Sequence, residues 1–411
     1  MKIAVINQSS STGGWRYLYN LVLGIKRFDE SVDITIFLPS TNASMTFDLE
    51  KLKSHGIKIE NFSSYGVLKK SFREKNRFKN KFLNKFSNKI RKIVFDFKMN
   101  NSIKKNLKQD DFDLFFYSWP YGIECVNTNK PIFFIPHDFI YTHSFGFDGV
   151  GIYDKGMWKA NLFCHEKFVD NNAIPIVSSH YIEDEFNKTF PNAKNKPNIV
   201  YLSALNDYEE KSKKEIEEFL KNKNLNNDYV LFASNNMPHK NLGNLLGAWY
   251  YVKQKYPNLK LIISGYGNND IMLNINSSYY ADHTYNEDCD VRSFGLLKDD
   301  EFSMLMQGAK IVINPSFCEA GNGSGLDAWQ LGVPVAMSEI EPFKNQIDYL
   351  GVKAELFDPR NSKDIARAII HLLDNPSIME ENVKISKEAM DKYTWNEVAK
   401  QYLENFRNKE R

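Results

Sequence analysis

Asn314-Pro-Ser-Phe-Cys-Glu-Ala-Gly-Asn-Gly-Ser-Gly-Leu-Asp-Ala-Trp-Gln-Leu-Gly-Val-Pro-Val335 is the stretch on which the interpretation of this chain turns. The run Ile311 to Asn314 has the length and branching of a buried strand. Glu319 follows it, then the loop Gly321-Asn322-Gly323-Ser324, and then a second acid, Asp327. A helical run closes at Gly332 and Pro334, the usual C-terminal stop signals. Glycines let the backbone approach a ligand closely. The amides of a following helix N-terminus favour negative charge such as a diphosphate. One acid before the turn and one inside the helix can hold hydroxyls on either side of that diphosphate, so the spacing suits a sugar nucleotide. Taken alone, the loop is equally explained by a strand-turn-helix whose glycines serve packing.

Outward from this stretch, short β-branched runs alternate with longer helical patterns. That alternation is the sign of an α/β fold with parallel sheets covered by helices. The first half offers strands at Ile3 to Ile6, Val32 to Leu38, Leu114 to Tyr117, Ile132 to Ile135, Ile174 to Val177 and Ile199 to Leu202. In the second half they are Tyr229 to Ala233, Leu259 to Ser264, Val291 to Phe294, Ile311 to Ile313, Val335 to Met337 and Ala354 to Phe357. The charged stretch Asp207 to Asn227 separates the two sets. The expectation is two doubly wound domains, 1–206 and 207–389, with an amphipathic tail from about Met390 (residues 390–411). A length of 411 residues and 42% apolar content suit two domains of roughly 200 residues each. Ligands of such sheets bind beyond the C-terminal strand ends, which puts the site in the cleft between the domains.

Composition excludes several classes. A net charge of +2 argues against a chain-wide polyanion binder. Cys125, Cys164, Cys289 and Cys318 are far apart, with no Cys-x-x-Cys pair, so neither a disulfide framework nor a zinc site is indicated. Free thiols suit the cytoplasm. The N-terminal Met-Lys-Ile-Ala-Val-Ile enters a strand at once, and no apolar run approaches the roughly 18 residues of a membrane span, so no signal peptide or span is expected.

Other motifs sit where the cleft is expected. Gly13-Gly14 follows the first strand and can bring backbone amides to a phosphate or to the acceptor side, although a helix cap alone explains it equally well. His137-Asp138 ends the strand of Ile132 to Ile135, on the side that should face the cleft. Lys240 stands at a helix start above the end of Tyr229 to Ala233, a natural contact for a leaving diphosphate. His143 and His165 have no carboxylate cluster that would make metal partners of them with His137. Asp111-Phe-Asp113 and Asp288-Cys-Asp290 precede strands and read as turn residues at the far end of the sheets. No metal and no cofactor are expected.

Together these segments resemble the retaining GT-B glycosyltransferases of the large glycosyltransferase family four, the glycosyl transferases group 1. The signature is an acid, seven residues, a second acid, then a small-residue turn and a Gly-x-Pro-Val strand entry. Here Glu319 and Asp327 take the acid positions, Asp327 one methylene shorter than the usual Glu, and Gly332-Val-Pro-Val335 the entry. The resemblance covers nearly the whole chain and is strongest over residues 229–337. It implies a GT-B enzyme that moves a sugar from a nucleoside diphosphate donor with retention. It also implies that Glu319 holds sugar hydroxyls, His137 (with Asp138) the sugar from the opposite domain, Asp327 the ribose and Lys240 the diphosphate. Gly13 and Gly14 would line the donor–acceptor gap, and Leu296 and Leu297 would touch the base. Family members generally carry an Arg five residues before the Lys. Here that position is Asn235, with His239 or Arg292 as candidates to replace the missing charge. The tail looks like the terminal helix that in GT-B enzymes crosses back onto the first domain.

Lys69 to Lys108 holds fifteen Lys/Arg against Glu74 and Asp96, with Phe78, Phe82, Phe86, Ile90, Ile93, Val94 and Phe97 at helical spacing. A basic amphipathic helix of this kind docks to an anionic membrane surface, or packs as a solvated face. The membrane reading points to a lipid-linked glycan acceptor at the cytoplasmic face, as in assembly of surface polysaccharide such as lipopolysaccharide or capsule. No nucleic-acid motif accompanies the charge. Two other classes stay open: an inactive glycosyltransferase-like partner or chaperone subunit, and a sugar-nucleotide epimerase on the same fold.

Overall fold

The computed structural model describes residues 1–7, 12–39, 49–62, 107, 109–121, 123, 125–140, 155–204, 210–226, 228–235, 237–265, 291–321 and 323–408. The first half supplies strands β1 (Lys2–Asn7), β2 (Asp33–Pro39), β3 (Lys58–Phe62), β4 (Leu114–Trp119), β5 (Ile132–Phe134), β6 (Ile174–Val177) and β7 (Asn198–Ile199). Its helices are α1 (Thr12–Phe28), α2 (Leu49–Ser54), α3 (Lys155–Asp170) and α4 (His180–Thr189). The second half supplies β8 (Tyr229–Ala233), β9 (Lys260–Ser264), β10 (Val291–Gly295), β11 (Ile311–Asn314), β12 (Val335–Ser338) and β13 (Glu355–Phe357). Around them lie α5 (Lys213–Asn222), α6 (Leu242–Lys255), α7 (Asp299–Gln307), α8 (Gly323–Gln330), α9 (Glu341–Leu350), α10 (Ser362–Asp374), α11 (Pro376–Lys392) and α12 (Trp395–Asn408).

The strands form two parallel sheets, ordered β3-β2-β1-β4-β5-β6-β7 and β10-β9-β8-β11-β12-β13. Period-two alternation divides each core between the two faces. Ile3 and Val5 pack on one side of the first sheet, Ala4 and Ile6 on the other. In the second sheet, Val230 and Phe232 face one cluster and Tyr229 and Leu231 the other. Burial on both faces is why these strands read as continuous apolar runs. Strand order reverses between β1 and β4 and again between β8 and β11, so each sheet has a switch point where a crevice opens at its C-terminal edge.

Two expectations about strands need correction. β3 was not expected, since Lys58-Ile-Glu-Asn-Phe62 offers one short alternation at a sheet edge. The strand expected over Ile199 to Leu202 shrinks to Asn198–Ile199. Beyond it the carbonyls serve the chain's last helices. That of Tyr201 accepts from the Tyr393 hydroxyl at 2.9 Å, and that of Ala204 from the Trp395 indole at 2.5 Å.

The amphipathic tail is split between two helices. Met390 lies in α11 and packs into the second core, whereas Trp395, Val398, Tyr402, Leu403 and Phe406 of α12 are buried in the first core against α1. Each such side chain contributes about 1.5–3 kcal/mol on burial. The approach is close: a Cβ on Gly24 would meet the Trp395 carbonyl oxygen at 2.7 Å. Of residues 69–108 only Leu107 is described, and it is buried, so the basic stripe lies outside the described residues. Among the described residues no helix is long and apolar enough to cross a membrane.

Candidate functional site

The C-terminal edge of each sheet is irregular, at the β1–β4 switch point in the first and between β9 and β10, beside the switch point, in the second. Along β1 and β4, Ile6 pairs with Tyr117 but Asn7 with Trp119, so Ser118 falls out of register. Such a bulge frees backbone groups and re-aims side chains. The Ser118 carbonyl accepts from His137 Nε2 at 2.6 Å. Nε2 therefore carries the proton, and a neutral ring leaves Nδ1 as an acceptor. Burial holds His137 down to about 4, so it is neutral at physiological pH. Trp119, 4.6 Å from it between ring centroids, and the edge of Tyr17, at 6.0 Å, hold the ring in place.

In the second sheet the bulge lies between Ser293 and Gly295, the latter at φ 59°. Gly265, at φ 152°, donates its N–H to the Gly295 carbonyl at 2.8 Å. A Cβ there would stand 2.0 Å from the Ser234 carbonyl oxygen, a position only glycine can fill. The ends of β8, β9 and β10 are thereby drawn together, with Leu296 exposed in the turn that follows and Leu297 partly packed. Asn235 is exposed, its side-chain oxygen accepting from the Met237 amide at 3.3 Å.

Glu319 and Lys240 meet at the centre of this edge. Lys240 ends a short turn, Pro238–Lys240, and Asn241 follows in the left-handed region at φ 59°. The Asn241 amide donates to the carbonyls of Pro315, at 2.8 Å, and Pro359, at 2.7 Å. The Phe317 amide bonds the His239 carbonyl at 2.8 Å. The lysine loop is thus fastened to the acid's loop, and the Lys240 ammonium forms an ion pair with Glu319 Oε1, the side chains 18% and 8% exposed. The Ser316 hydroxyl stands 2.7 Å from the same oxygen and 2.7 Å from Asn314 Oδ1. Past Glu319, Gly321 is half-buried, Gly323 and Ser324 open α8, and Asp327 is buried within it. Asn322 lies outside the described residues.

The two edges face each other. Ser178, just past β6, donates its hydroxyl to the Ala320 carbonyl at 3.2 Å, and the Tyr181 amide bonds Asn345 Oδ1 at 2.8 Å. Arg16 on α1 pairs with Asp299 at the start of α7. Burial raises Asp138 to about 6; the Ile140 amide opposes that, and the Glu319 carboxylate across the cleft adds to it. The Cys318 thiol is pushed far up by burial and by Glu319. On α1, Gly13 is exposed with nothing within 4 Å of an added Cβ, and Gly14 is buried.

Neither residue expected to replace the missing arginine does so. Burial holds His239 down to about 4, hence uncharged. Arg292 donates to the Lys223 carbonyl at 2.6 Å and caps the end of α5, at the opposite end of the sheet. Asp113 accepts from the Lys2 amide at 2.7 Å, at the N-terminal strand ends, as a turn residue does. Asp288, Asp290 and His143 lie outside the described residues, and His165 is buried against Tyr121 and Phe139. Among the described residues no cluster of three His, Cys, Asp or Glu could hold a metal. The sequence reading missed Asn314, Ser316 and Asn241, small polar residues whose side chains build the site; Asn241 after the lysine was the available signal.

Residues 213–392 match the family model described as glycosyl transferases group 1. A phosphatidyl-myo-inositol mannosyltransferase of Mycobacterium leprae is 25% identical over 169 residues, which is 40% of this chain and 42% of that protein. The crystal structure of Anabaena HepE in complex with UDP-glucose superposes over 99% of this chain and 100% of its own, with TM-score 0.69 and 16% identity. The sucrose-phosphate synthase of Thermosynechococcus elongatus does so over 99% and 98%, with TM-score 0.70 and 13% identity. At such identities the likeness establishes the fold, which is GT-B.

Proposed function

We propose, from the match of residues 213–392 to the glycosyl transferases group 1 model, that this chain transfers a sugar from a nucleoside diphosphate donor to a glycan acceptor. The observation that carries the proposal is the Lys240–Glu319–Ser316 cluster, set at a switch point and facing His137 and Asp138 across the cleft. Lys240 and the first amides of α8 take the diphosphate, where negative charge grows as the bond to the sugar breaks. Glu319 accepts hydrogen bonds from sugar hydroxyls, and the Nδ1 of neutral His137 accepts one from the other side. Asp327 reaches the ribose, and the backbone at Leu296 the base. The acceptor enters from the side of Gly13 and Gly14, on the domain of residues 1–206 with α12 against it.

The transfer we infer is retaining. The acceptor oxygen attacks on the face from which the diphosphate leaves, and the departing phosphate oxygen takes the acceptor proton. Such a step needs no protein nucleophile and no metal when Lys240 and the amides carry the charge. The basic stripe of residues 69–108 favours a lipid-linked acceptor at an anionic membrane surface, in surface polysaccharide assembly. Asn235, exposed and uncharged, favours the second reading of an inactive donor-binding partner subunit.

Thermal shift with a panel of nucleoside diphosphates and their sugars, followed by turnover of the best ligand with and without EDTA, tests the proposal. One sugar nucleotide should stabilise the protein, by about 2.7 kcal/mol at a hundred times its Kd, and turn over in EDTA. Absence of any shift at millimolar UDP, GDP, ADP or their sugars would sink it. Binding without turnover would select the partner subunit.

A further inference from the structure

Among the described residues the Glu319 carboxylate has two protein donors, and they differ in how far they can move. Lys240 reaches Oε1 on a flexible four-carbon stem, with its side chain partly open to the cleft. Ser316 reaches the same oxygen from a one-carbon stem at a fully buried position just past β11. Its hydroxyl has one proton and two acceptors within 2.7 Å. Asn314 Oδ1 already accepts from the Ser316 amide, at 3.3 Å. The charged carboxylate is the stronger acceptor, so the hydroxyl proton belongs to Glu319. Among the described residues no other group donates to this carboxylate.

We propose that Ser316 is a positioning residue, whose hydroxyl keeps the Glu319 carboxylate in place when Lys240 leaves it for the donor's diphosphate. The proposal rests on the donor-binding role given above to Lys240 and Glu319. In this structure the lysine balances the acid. When the ammonium turns to a phosphate, Oε1 loses its charged partner while still largely buried, a situation that costs free energy unless another donor remains. Ser316 is that donor, and with Oε1 held, the other oxygen is presented to the sugar.

The test has a ligand-free arm and a ligand arm. In a double-mutant cycle, Ser316→Ala should lower the melting temperature more in a Lys240→Met background than in the wild type, because only there does the carboxylate lose both of its donors among the described residues. Equal losses in the two backgrounds would overturn the proposal. In the second arm, UDP with UDP-glucose and GDP with GDP-mannose are titrated into wild type, Ser316→Ala and Ser316→Thr. Ser316→Ala should leave the nucleoside diphosphate within about twofold, but cut sugar-nucleotide turnover by roughly ten- to a hundredfold, the factor of one hydrogen bond to a charged group. Ser316→Thr, which keeps the hydroxyl, should restore much of it. Equal weakening of diphosphate and sugar nucleotide, or no rescue by threonine, would mean a collapsed loop and no positioning role. A wild type that binds none of the four ligands would end the functional reading and the diphosphate step with it. The cycle would still decide whether the hydroxyl takes over from the lysine.

Discussion

Replacing Lys240 by methionine keeps most of the side-chain volume and removes the charge that sits on Glu319 Oε1. The pair is nearly closed to solvent, with side chains 18% and 8% exposed. Removing one member of a buried pair costs about 3–5 kcal/mol, because the other charge stays behind unbalanced. Here the opening on the lysine side and the Ser316 hydroxyl place the expected loss near the lower end, about 3 kcal/mol. For a cooperative unit of 150–250 residues that is a fall of about 6–12 °C in melting temperature. Glu319→Gln should cost less, about 1 kcal/mol, since the freed ammonium can turn to water while the amide keeps a hydrogen bond. The double variant Lys240→Met with Glu319→Gln carries no charge and should recover at least half of the single lysine variant's loss. Differential scanning calorimetry at pH 7, with and without UDP, gives both readouts. Lys240→Met should weaken UDP, whereas Glu319→Gln should keep UDP and lose the extra affinity of the sugar. A Lys240→Met protein melting within about 2 °C of wild type, or a double variant no better than the single, would refute the argument.

Gly265→Ala should be strongly destabilising, because φ 152° is closed to alanine and its Cβ would stand 2.0 Å from the Ser234 carbonyl oxygen; strained backbone alone costs about 1–3 kcal/mol. Gly56→Ala, at φ 76° with nothing within 4 Å, should cost less, and equal melting temperatures for the two variants would contradict this. Acid should unfold the protein early. His137 and His239 titrate at about 4 and His165 at about 3, against 6.5 when unfolded, so the stability they provide is present above pH 6.5 and lost as pH falls toward 4. Asp138, raised from 3.8 to about 6, acts in the opposite sense and recovers part of that loss below pH 6. Three histidines against one acid leave a net loss on the order of a few kcal/mol, and a melting temperature unchanged between pH 7 and pH 5 would count against it. Reversing Lys79, Lys81, Lys85 and Lys89 to Glu should abolish co-sedimentation with anionic vesicles, since each basic residue near such a surface contributes roughly 1 kcal/mol. Unchanged sedimentation would leave the stretch a solvated face.

The regular frame of this chain was legible in its residues because it is locally encoded. A parallel strand buried on both faces announces itself as an apolar run, and the spacing of helices between such runs dictates doubly wound sheets. Where pattern is short, as at Lys58–Phe62, the signal failed, and where long-range bonds compete for carbonyls, as beyond Ile199, a strand ended sooner than its residues suggested. The residue types of the site were legible too: Glu319 after its strand, Lys240 above another, His137 at the end of a third. Only the tertiary structure decided what they do to one another. Lys240 and Glu319 are 79 residues apart and meet because Asn241 bonds the carbonyls of Pro315 and Pro359. His137 has its proton placed by a carbonyl that a bulge between two other strands sets free. That neither expected substitute supplies the arginine's charge is likewise decided in three dimensions, for Arg292 spends its charge on a helix end and His239 is too buried to hold one. Periodicity survives in a one-dimensional string, because each residue shares its face with near neighbours. Charge pairing and burial do not, since they depend on distances that close only when the whole chain has folded.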